Sequence, residues 1–407
     1  DEQKFNATHA AAVMSKLVRF KKTFVGCLRE DQVLVRLLWW LQECVRSNTL
    51  SLEHLASLAR AIPQLRVELP NYMLLAQPVF KALAMRMHEG PSGAAVANSM
   101  KGIATMSEQF PEQALQLVER LERWIPSTAE TMKPAELCTV LFCIGVLRDD
   151  WKEGVNHISK LAELLLLRRG GSQEWMDSEL LSQASVSEAV WALGVAGHKD
   201  DSATREALIW LSRGPALAKV QARDMPLGAM KSICWGLAAY GLREEELLWS
   251  CADLIVNQML PEHDPESWTR TASMMPSTIW ACAHLGIYHE RLLRKCVDQC
   301  RGGEYVKRFR HAELCCLAWA YDVLDEEDRF LDFRSQLWDR VEFRRIPREQ
   351  ALKFASGPHK WQDVDIELTK VLGEKLLEDL ESVALGEMQD MPDSGFLERM
   401  NGSKAPR

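Results

Sequence analysis

Four tryptophans recur at a nearly constant spacing, and this recurrence constrains the fold more than any other feature of the sequence. They are Trp191, Trp235, Trp280 and Trp319, and successive members lie 44, 45 and 39 residues apart. Self-similarity at a period of about 20 to 50 residues is typical of proteins that stack one supersecondary unit on the next. The spacing therefore predicts a repeat architecture.

A second sequence match extends the repeat towards the amino terminus. The segment Ala-Glu-Leu-Cys occurs at 135–138 and again at 312–315, an offset of 177 residues that is close to four units of about 44. The match aligns Phe142 with Trp319, and further steps backwards, through Met100, reach apolar segments without tryptophan. We count about eight units of 39 to 49 residues, of which the first three are degenerate.

Within a unit, apolar residues follow the period of an α-helix. Leu247, Leu248 and Cys251 begin one apolar stripe, and Leu292 with Leu293 begins the same stripe 45 residues later. A hairpin of two such helices cannot bury its stripes alone, so neighbouring hairpins must stack. The sequence predicts an all-α fold, an α-solenoid of about eight two-helix repeats of roughly 39–49 residues.

The pattern divides the chain into four parts. Degenerate helical repeats are predicted for 1–130, and tryptophan-containing helical hairpins for 131–350. A capping helix is predicted for 351–385, and a loose acidic tail follows over 386–407.

Three of the four tryptophan-containing first helices are predicted to end at a glycine, and Asp325 takes that place after Trp319. Gly197, Gly241 and Gly286 each close the apolar run that begins with a tryptophan. A left-handed helix cap favours a residue without Cβ. We therefore expect the left-handed backbone conformation at all three glycines.

The recurring aromatic position has two interpretations. Its occupants are Phe142, Trp191, Trp235, Trp280 and Trp319. The rings could fill the space between hairpins as a structural core, or they could form platforms on which nucleic-acid bases stack. An earlier unit has methionine at this position, which shares only size and apolarity with the rings. Core packing is therefore the favoured interpretation.

Motifs that carry catalysis are missing from the sequence. It has no glycine-rich phosphate-binding loop, no Gly-x-Ser-x-Gly nucleophile motif and no His-Glu-x-x-His zinc motif. Cys296 and Cys300 are four residues apart and could face the same way on a helix, but both fall on an apolar stripe, and no Cys-x-x-Cys pair exists. We expect no enzyme activity, no cofactor and no metal site.

Charge is unevenly distributed along the chain. The formal net charge is −8, from 49 basic and 57 acidic residues, and residues 361–407 carry −6 of it, so the repeat body is nearly neutral. Local basic clusters are either solvated helix ends or cations that track a phosphate backbone. The candidate phosphate contacts are Lys307, Arg308, Arg310, Arg344 and Arg345.

No apolar stretch of the sequence is long enough to predict a membrane span.

The repeat resembles the organellar helical-repeat proteins of the octotricopeptide, heptatricopeptide and FAST-kinase-like groups. The resemblance is carried by Trp-Ala-x-x-x-x-Gly at 191–197 and 280–286, by its variant at 235–241, and by the Leu-Leu pairs at 247–248 and 292–293. It implies an α-solenoid in mitochondria, or alternatively in chloroplasts. It also implies RNA binding in transcript processing, transcript stability, translation or ribosome architecture.

The variable length of the units and the nearly neutral charge of the repeats favour a helical-repeat protein that is built into a larger assembly. We therefore expect a non-enzymatic component of an organellar ribonucleoprotein, ribosome-associated or RNA-processing, that binds RNA and other proteins and has no small-molecule substrate. One alternative is a protein-only scaffold or accessory subunit of an organellar complex. Another is a cytosolic adaptor of the HEAT or armadillo kind, which an Arg-rich, acid-poor leader on the precursor would exclude.

Overall fold

The computed structural model is helical throughout the part of the chain that it describes. It describes residues 6–20, 32–65, 72–107, 109–169, 181–258, 274–300 and 306–357. No β-strand occurs within these ranges, so the all-α prediction is confirmed. The chain forms two compact units, unit 1 over residues 1–259 and unit 2 over residues 260–407.

The helices of unit 1 alternate between the two arms of successive hairpins. In chain order they are α1 (Ala7–Phe20), α2 (Gln32–Arg46), α3 (Leu52–Gln64), α4 (Tyr72–Arg86), α5 (Gly93–Met106), α6 (Pro111–Glu122), α7 (Ile125–Ala129), α8 (Pro134–Leu147), α9 (Lys152–Val155), α10 (Ile158–Arg169), α11 (Gln183–Ala196), α12 (Ser202–Leu211), α13 (Leu217–Gln221), α14 (Leu227–Tyr240) and α15 (Glu245–Gln258). A 3₁₀ turn at Met87–Glu89 follows α4, and a π-helical turn at Ser212–Ala216 joins α12 to α13.

Within unit 1, first helices pack on first helices and second helices pack on second helices. The first helices α1, α3, α5, α8, α11 and α14 each contact the next member of that series. Second helices pack in the same way, α2 on α4, α4 on α6, and α10 on α12. Helices that are not consecutive in the chain thus pack against one another and bury apolar surface between them.

Unit 2 repeats this arrangement over a shorter length. Its helices are α16 (Met274–His284), α17 (Glu290–Cys300), α18 (His311–Leu324), α19 (Leu331–Phe343) and α20 (Arg348–Ala355), with a 3₁₀ turn at Val306–Arg308. The first helix α18 packs between α16 and α20, and α19 packs on α18 as its hairpin partner. None of the described helices in either unit combines the length and the apolar composition that crossing a membrane requires.

The aromatic repeat keeps a constant register within the first helices. Phe142, Trp191, Trp235 and Trp319 are each the ninth residue of α8, α11, α14 and α18 respectively. Trp280 lies in α16, which also packs as a first helix. Equivalent sequence positions therefore occupy equivalent places in successive hairpins.

Five of the first helices begin with one of two capping arrangements, whereas α14 follows Pro226 without a side-chain cap. The side chains of Ser51, Ser92 and Ser182 accept a hydrogen bond from the backbone N–H three residues later. At α8 and α18 a glutamate reaches back instead, and Glu136 and Glu313 each accept from the N–H of the residue preceding the helix, at 2.9 and 3.0 Å. The repeated Ala-Glu-Leu-Cys segment is thus a helix-start signal.

The glycines that end the first helices differ from one another. Gly241 and Gly286 have φ values of 81° and 64°, the left-handed caps that the sequence predicts. Gly197 has φ −72° and ψ 144°, so the prediction of a left-handed cap is wrong there. At this position a Cβ would overlap the carbonyl oxygen of Leu193 and the methyl group of Thr204. Glycine at 197 is therefore required by close approach.

The boundary between the units, at 259/260, falls inside the segment 131–350, which the sequence pattern treats as continuous. Of the predicted capping helix at 351–385, residues up to 357 are described and belong to α20 and the turn after it. The remainder of that helix and the predicted acidic tail at 386–407 lie outside the described residues.

Candidate nucleic-acid interface

The candidate phosphate contacts all lie where a second helix of unit 2 gives way to the next first helix. Lys307 is on the 3₁₀ turn after α17, Arg310 is the N-cap of α18, and Arg344 and Arg345 follow α19. Lys307, Arg310 and Arg345 are exposed, and Arg344 is half-buried. The side chain of Arg308 lies outside the described part of the chain.

The structure brings the two basic clusters together. The Arg344 guanidinium donates a hydrogen bond from Nη2 to the backbone carbonyl of Lys307 at 2.9 Å. Residues separated by 37 positions in sequence are thereby neighbours at one edge of the unit. Arg340, in the last turn of α19, belongs to the same region. We call Lys307, Arg310, Arg340, Arg344 and Arg345 the basic edge of unit 2.

Arg310 also has a structural role. Its Nη2 and Nε lie 2.9 and 3.2 Å from Oε1 of Glu313, a carboxylate that is only 4% exposed. The same carboxylate accepts the backbone N–H of Arg310 through Oε2. Because a buried carboxylate without its cation is costly, this arginine is tied to the start of α18. Its bond to Glu313 therefore limits how far it is available to a phosphate.

Arginines at the ends of second helices hold successive hairpins together. In unit 1, Arg86, Arg120 and Arg168 donate to backbone carbonyls 36 to 39 residues earlier, at the end of the preceding hairpin. Arg344 makes the same kind of bond in unit 2. The acceptors of Arg120 and Arg168 lie at the end of a helix, where carbonyls lack a partner within the helix, and the acceptor of Arg86 lies in the loop before α3. We call these side chains the arginine tethers.

Charges are segregated between the two ends of the hairpins. Bases gather where second helices lead to first helices, at Arg86, Arg120, Arg123, Arg168, Lys219, Arg223 and the basic edge of unit 2. The acids that accompany them there are Glu89, Glu122, Glu130, Asp224 and Glu342. The loops from first to second helices, with the start of α15, are predominantly acidic, at Asp149, Asp150, Asp200, Asp201, Glu244, Glu245, Glu246, Asp325, Glu326, Glu327 and Asp328. The bases that accompany these acids are Arg148, Lys199, Arg243 and Arg329. Acids at helix starts and bases at helix ends complement the helix dipole, and they also give the two ends opposite potentials.

Two of the predicted core rings in unit 1 are only half-buried. Phe142 and Trp191 are adjacent first-helix rings whose centroids lie 5.5 Å apart. The Lys101 ammonium lies 3.7 Å from the Phe142 centroid and 2.6 Å from a carboxylate oxygen of Glu188. Because α5 carries Lys101 and α11 carries Glu188, this ion pair spans the intervening α8. Trp235, by contrast, is 8% exposed.

In unit 2 one of the two recurring rings, that of Trp280, is both buried and hydrogen-bonded. Trp280 is fully buried, and its Nε1 donates to the carbonyl oxygen of Ala355 at 2.7 Å. His284 stacks on this indole at a centroid distance of 5.2 Å and lies 6.2 Å from the half-buried Trp319. The rings of α16 and α18 thus meet through a histidine.

The cysteine pair that the sequence singles out lies in the core. Cys296 and Cys300 are buried on α17, and the hydrogen bond with Cys296, together with burial, raises the pKa of Cys300 far above its ordinary range. Metal binding uses the thiolate form, which this environment disfavours. Among the residues that the structure describes, no group of three or more potential ligands could hold a metal ion.

Sequence reasoning missed the aromatic residue of the basic edge. Phe343, the last residue of α19, is 74% exposed, and the Arg340 guanidinium lies 4.4 Å from its ring centroid. Its only signal in the sequence is a phenylalanine between Arg340 and Arg344, which lies off the aromatic repeat.

The chain has no match among the models of known protein families or among curated protein sequences.

Proposed function

We propose that this protein is a non-enzymatic α-solenoid that binds RNA through the basic edge of unit 2. It would act within an organellar ribonucleoprotein, as a ribosome-associated or RNA-processing component, in mitochondria or alternatively in chloroplasts. The observation that carries the RNA proposal is the convergence of two separate basic clusters, joined by the bond from Arg344 to Lys307. The helical-repeat resemblance supports the assignment to an organelle.

The expected mechanism is phosphate contact at the edge of stacked hairpins. Phosphate contacts by lysine and arginine release counterions, so affinity should fall steeply with salt. The side chains of Lys307 and Arg345 are both exposed, and Lys307 contributes only its backbone carbonyl to the bond from Arg344. Their charges are therefore the ones whose removal tests binding most directly.

The test is a salt titration of RNA binding by fluorescence anisotropy. We expect the double variant Lys307→Gln, Arg345→Gln to bind about tenfold more weakly at low salt and to lose about 1.4 from the slope of log affinity against log salt. The matched control is Lys199→Gln, Arg243→Gln, which removes two exposed bases from first-to-second helix loops and should change neither quantity. Absence of binding by the unmodified protein at low salt would refute the proposal.

A protein-only scaffold is the second candidate, and an exposed apolar surface favours it. Val35, Trp39 and Leu74 are 38%, 55% and 49% exposed and line a shallow groove between α2 and α4. Surfaces of this composition commonly contact other proteins. Affinity purification with and without ribonuclease separates the candidates, because a scaffold complex would survive the treatment unchanged.

A further inference from the structure

The aromatic ring of Phe343 stands among the cations of the basic edge. It ends α19, and the charged residues around it in the chain are Asp339, Arg340, Glu342, Arg344 and Arg345. Three of these five are arginines. A single exposed apolar side chain on a protein surface is ordinary, but one set between cations has the composition of a single-stranded nucleic-acid site.

The ring is oriented before any ligand binds. The Arg340 guanidinium lies 4.4 Å from the ring centroid, a distance at which cation and ring attract. Nearly three quarters of the side chain nevertheless remains exposed. Phe343 thus offers ring surface to a ligand without first having to be ordered.

The chain around the ring is fixed at two points. Arg345 adopts φ 58°, a left-handed conformation that is unusual for arginine, and its N–H donates to the carbonyl of Glu342 at 2.7 Å. Arg344 is bonded to the carbonyl of Lys307, which places the 3₁₀ turn beside the end of α19. Exposed cations therefore lie on the turn that follows the ring in the chain, at Arg345, and on the 3₁₀ turn bonded to it, at Lys307.

We propose that Phe343 is a stacking platform for one unpaired base of a single-stranded RNA, with Lys307 and Arg345 contacting phosphates on either side. This inference rests on the proposed function and narrows its substrate class. A base in a duplex is already stacked and paired, whereas an unpaired base can present its face to an aromatic side chain. Stacking needs no base-specific hydrogen bond, so the site tolerates any of the four bases.

The test compares variants of one ring on two RNA substrates. A labelled 12-nucleotide single strand and the corresponding duplex are titrated at low salt with Phe343→Ala, Phe343→Leu and Phe343→Trp. We expect Phe343→Ala and Phe343→Leu to weaken single-strand binding about tenfold with an unchanged salt slope, and Phe343→Trp to retain full affinity. Duplex binding should be the same for all. The control Leu331→Ala, at the other end of α19 and 46% exposed, should change nothing.

Each other outcome overturns a specific statement. If the unmodified protein binds the single strand with steep salt dependence and Phe343→Ala binds equally well, stacking is refuted and RNA binding stands. If no RNA binds, both proposals fail. If RNA affinity is unchanged but Phe343→Ala loses a protein partner that survives ribonuclease, the ring is a protein contact and not a base platform.

Discussion

The first helices of the two units meet in different ways. In unit 1, α11 and α14 approach so closely that Gly194 lies against the backbone of Gly236. In unit 2, α16 and α18 contain no glycine, and they meet through Trp280, His284 and Trp319. One hairpin plan thus tolerates contact between backbones in one place and contact between rings in another. Within these two pairs the recurring tryptophan is half-buried in α11 and fully buried in α16, whereas Trp235 of α14 is buried and Trp319 of α18 is half-buried.

The largest expected effect is at the buried ring. Trp280→Ala should destabilise unit 2 by about 4 kcal/mol, because it leaves a cavity and removes the donor to Ala355. Trp191→Ala, at the half-buried equivalent in unit 1, should cost about 2 kcal/mol. Urea unfolding followed by circular dichroism measures both. Equal losses would mean that the two rings do the same work and that the comparison between units is mistaken.

The next largest expected loss of stability is at the close contact between Gly194 and Gly236 in unit 1. Gly194→Ala should cost about 3 kcal/mol, because a Cβ would overlap the carbonyl of Gly236 and force α11 and α14 apart. Gly228→Ala is the matched control, since it lies in α14 with no atom within 4 Å of the new methyl group. The control should gain up to about 1 kcal/mol from helix propensity. Urea midpoints that fall alike for both would contradict backbone packing.

Buried thiols should make unit 1 sensitive to alkaline pH. Burial raises the pKa of Cys138 and of Cys143 to about 12 from an ordinary value of 9.0. The folded state holds these protons more tightly, so the stabilisation is complete below pH 9 and is lost as pH rises from 9 through 12. We expect a loss of about 2 kcal/mol per thiol by pH 10.5.

The measurement is urea unfolding at pH 7, 9 and 10.5. Cys138→Ala should lose less stability between pH 7 and 10.5 than the unmodified chain does, because one titrating thiol is gone. Identical pH dependence in the variant would show that other groups cause the alkaline loss. In unit 2 burial also raises the pKa of Tyr321, whose hydroxyl donates to the Leu293 carbonyl at 2.8 Å, so that unit should respond in the same direction.

The smallest expected losses of stability are at the arginine tethers, which occur in both units. Arg168→Lys and Arg344→Lys should each cost about 1 kcal/mol, because lysine keeps the charge but has a different reach and donor geometry at the tethered carbonyls. Similar losses in both, measured by urea unfolding, would establish the tether as a common device. A loss in one unit alone would extend the difference between the units to their second helices.

Much of the fold follows from local pattern, whereas the site does not. The spacing of Trp191, Trp235 and Trp319 locates equivalent turns of successive first helices, since a helical register is a property of the chain itself. The approach of Gly194 to Gly236 and the bond from Arg344 to Lys307 join residues more than 35 positions apart. Nothing in either segment alone specifies its partner, so only the packed structure reveals them.

The arginine tethers explain how these hairpins can resemble one another in structure and so little in sequence. Their acceptors are main-chain oxygens of Leu50, Ala84, Glu130 and Lys307, residues with no common side-chain chemistry. A bond to the peptide group places no demand on what that residue is. The residue whose carbonyl accepts the bond can therefore be substituted while the hydrogen bond between successive hairpins is kept. Sequence similarity between hairpins can be lost at that position without loss of the contact.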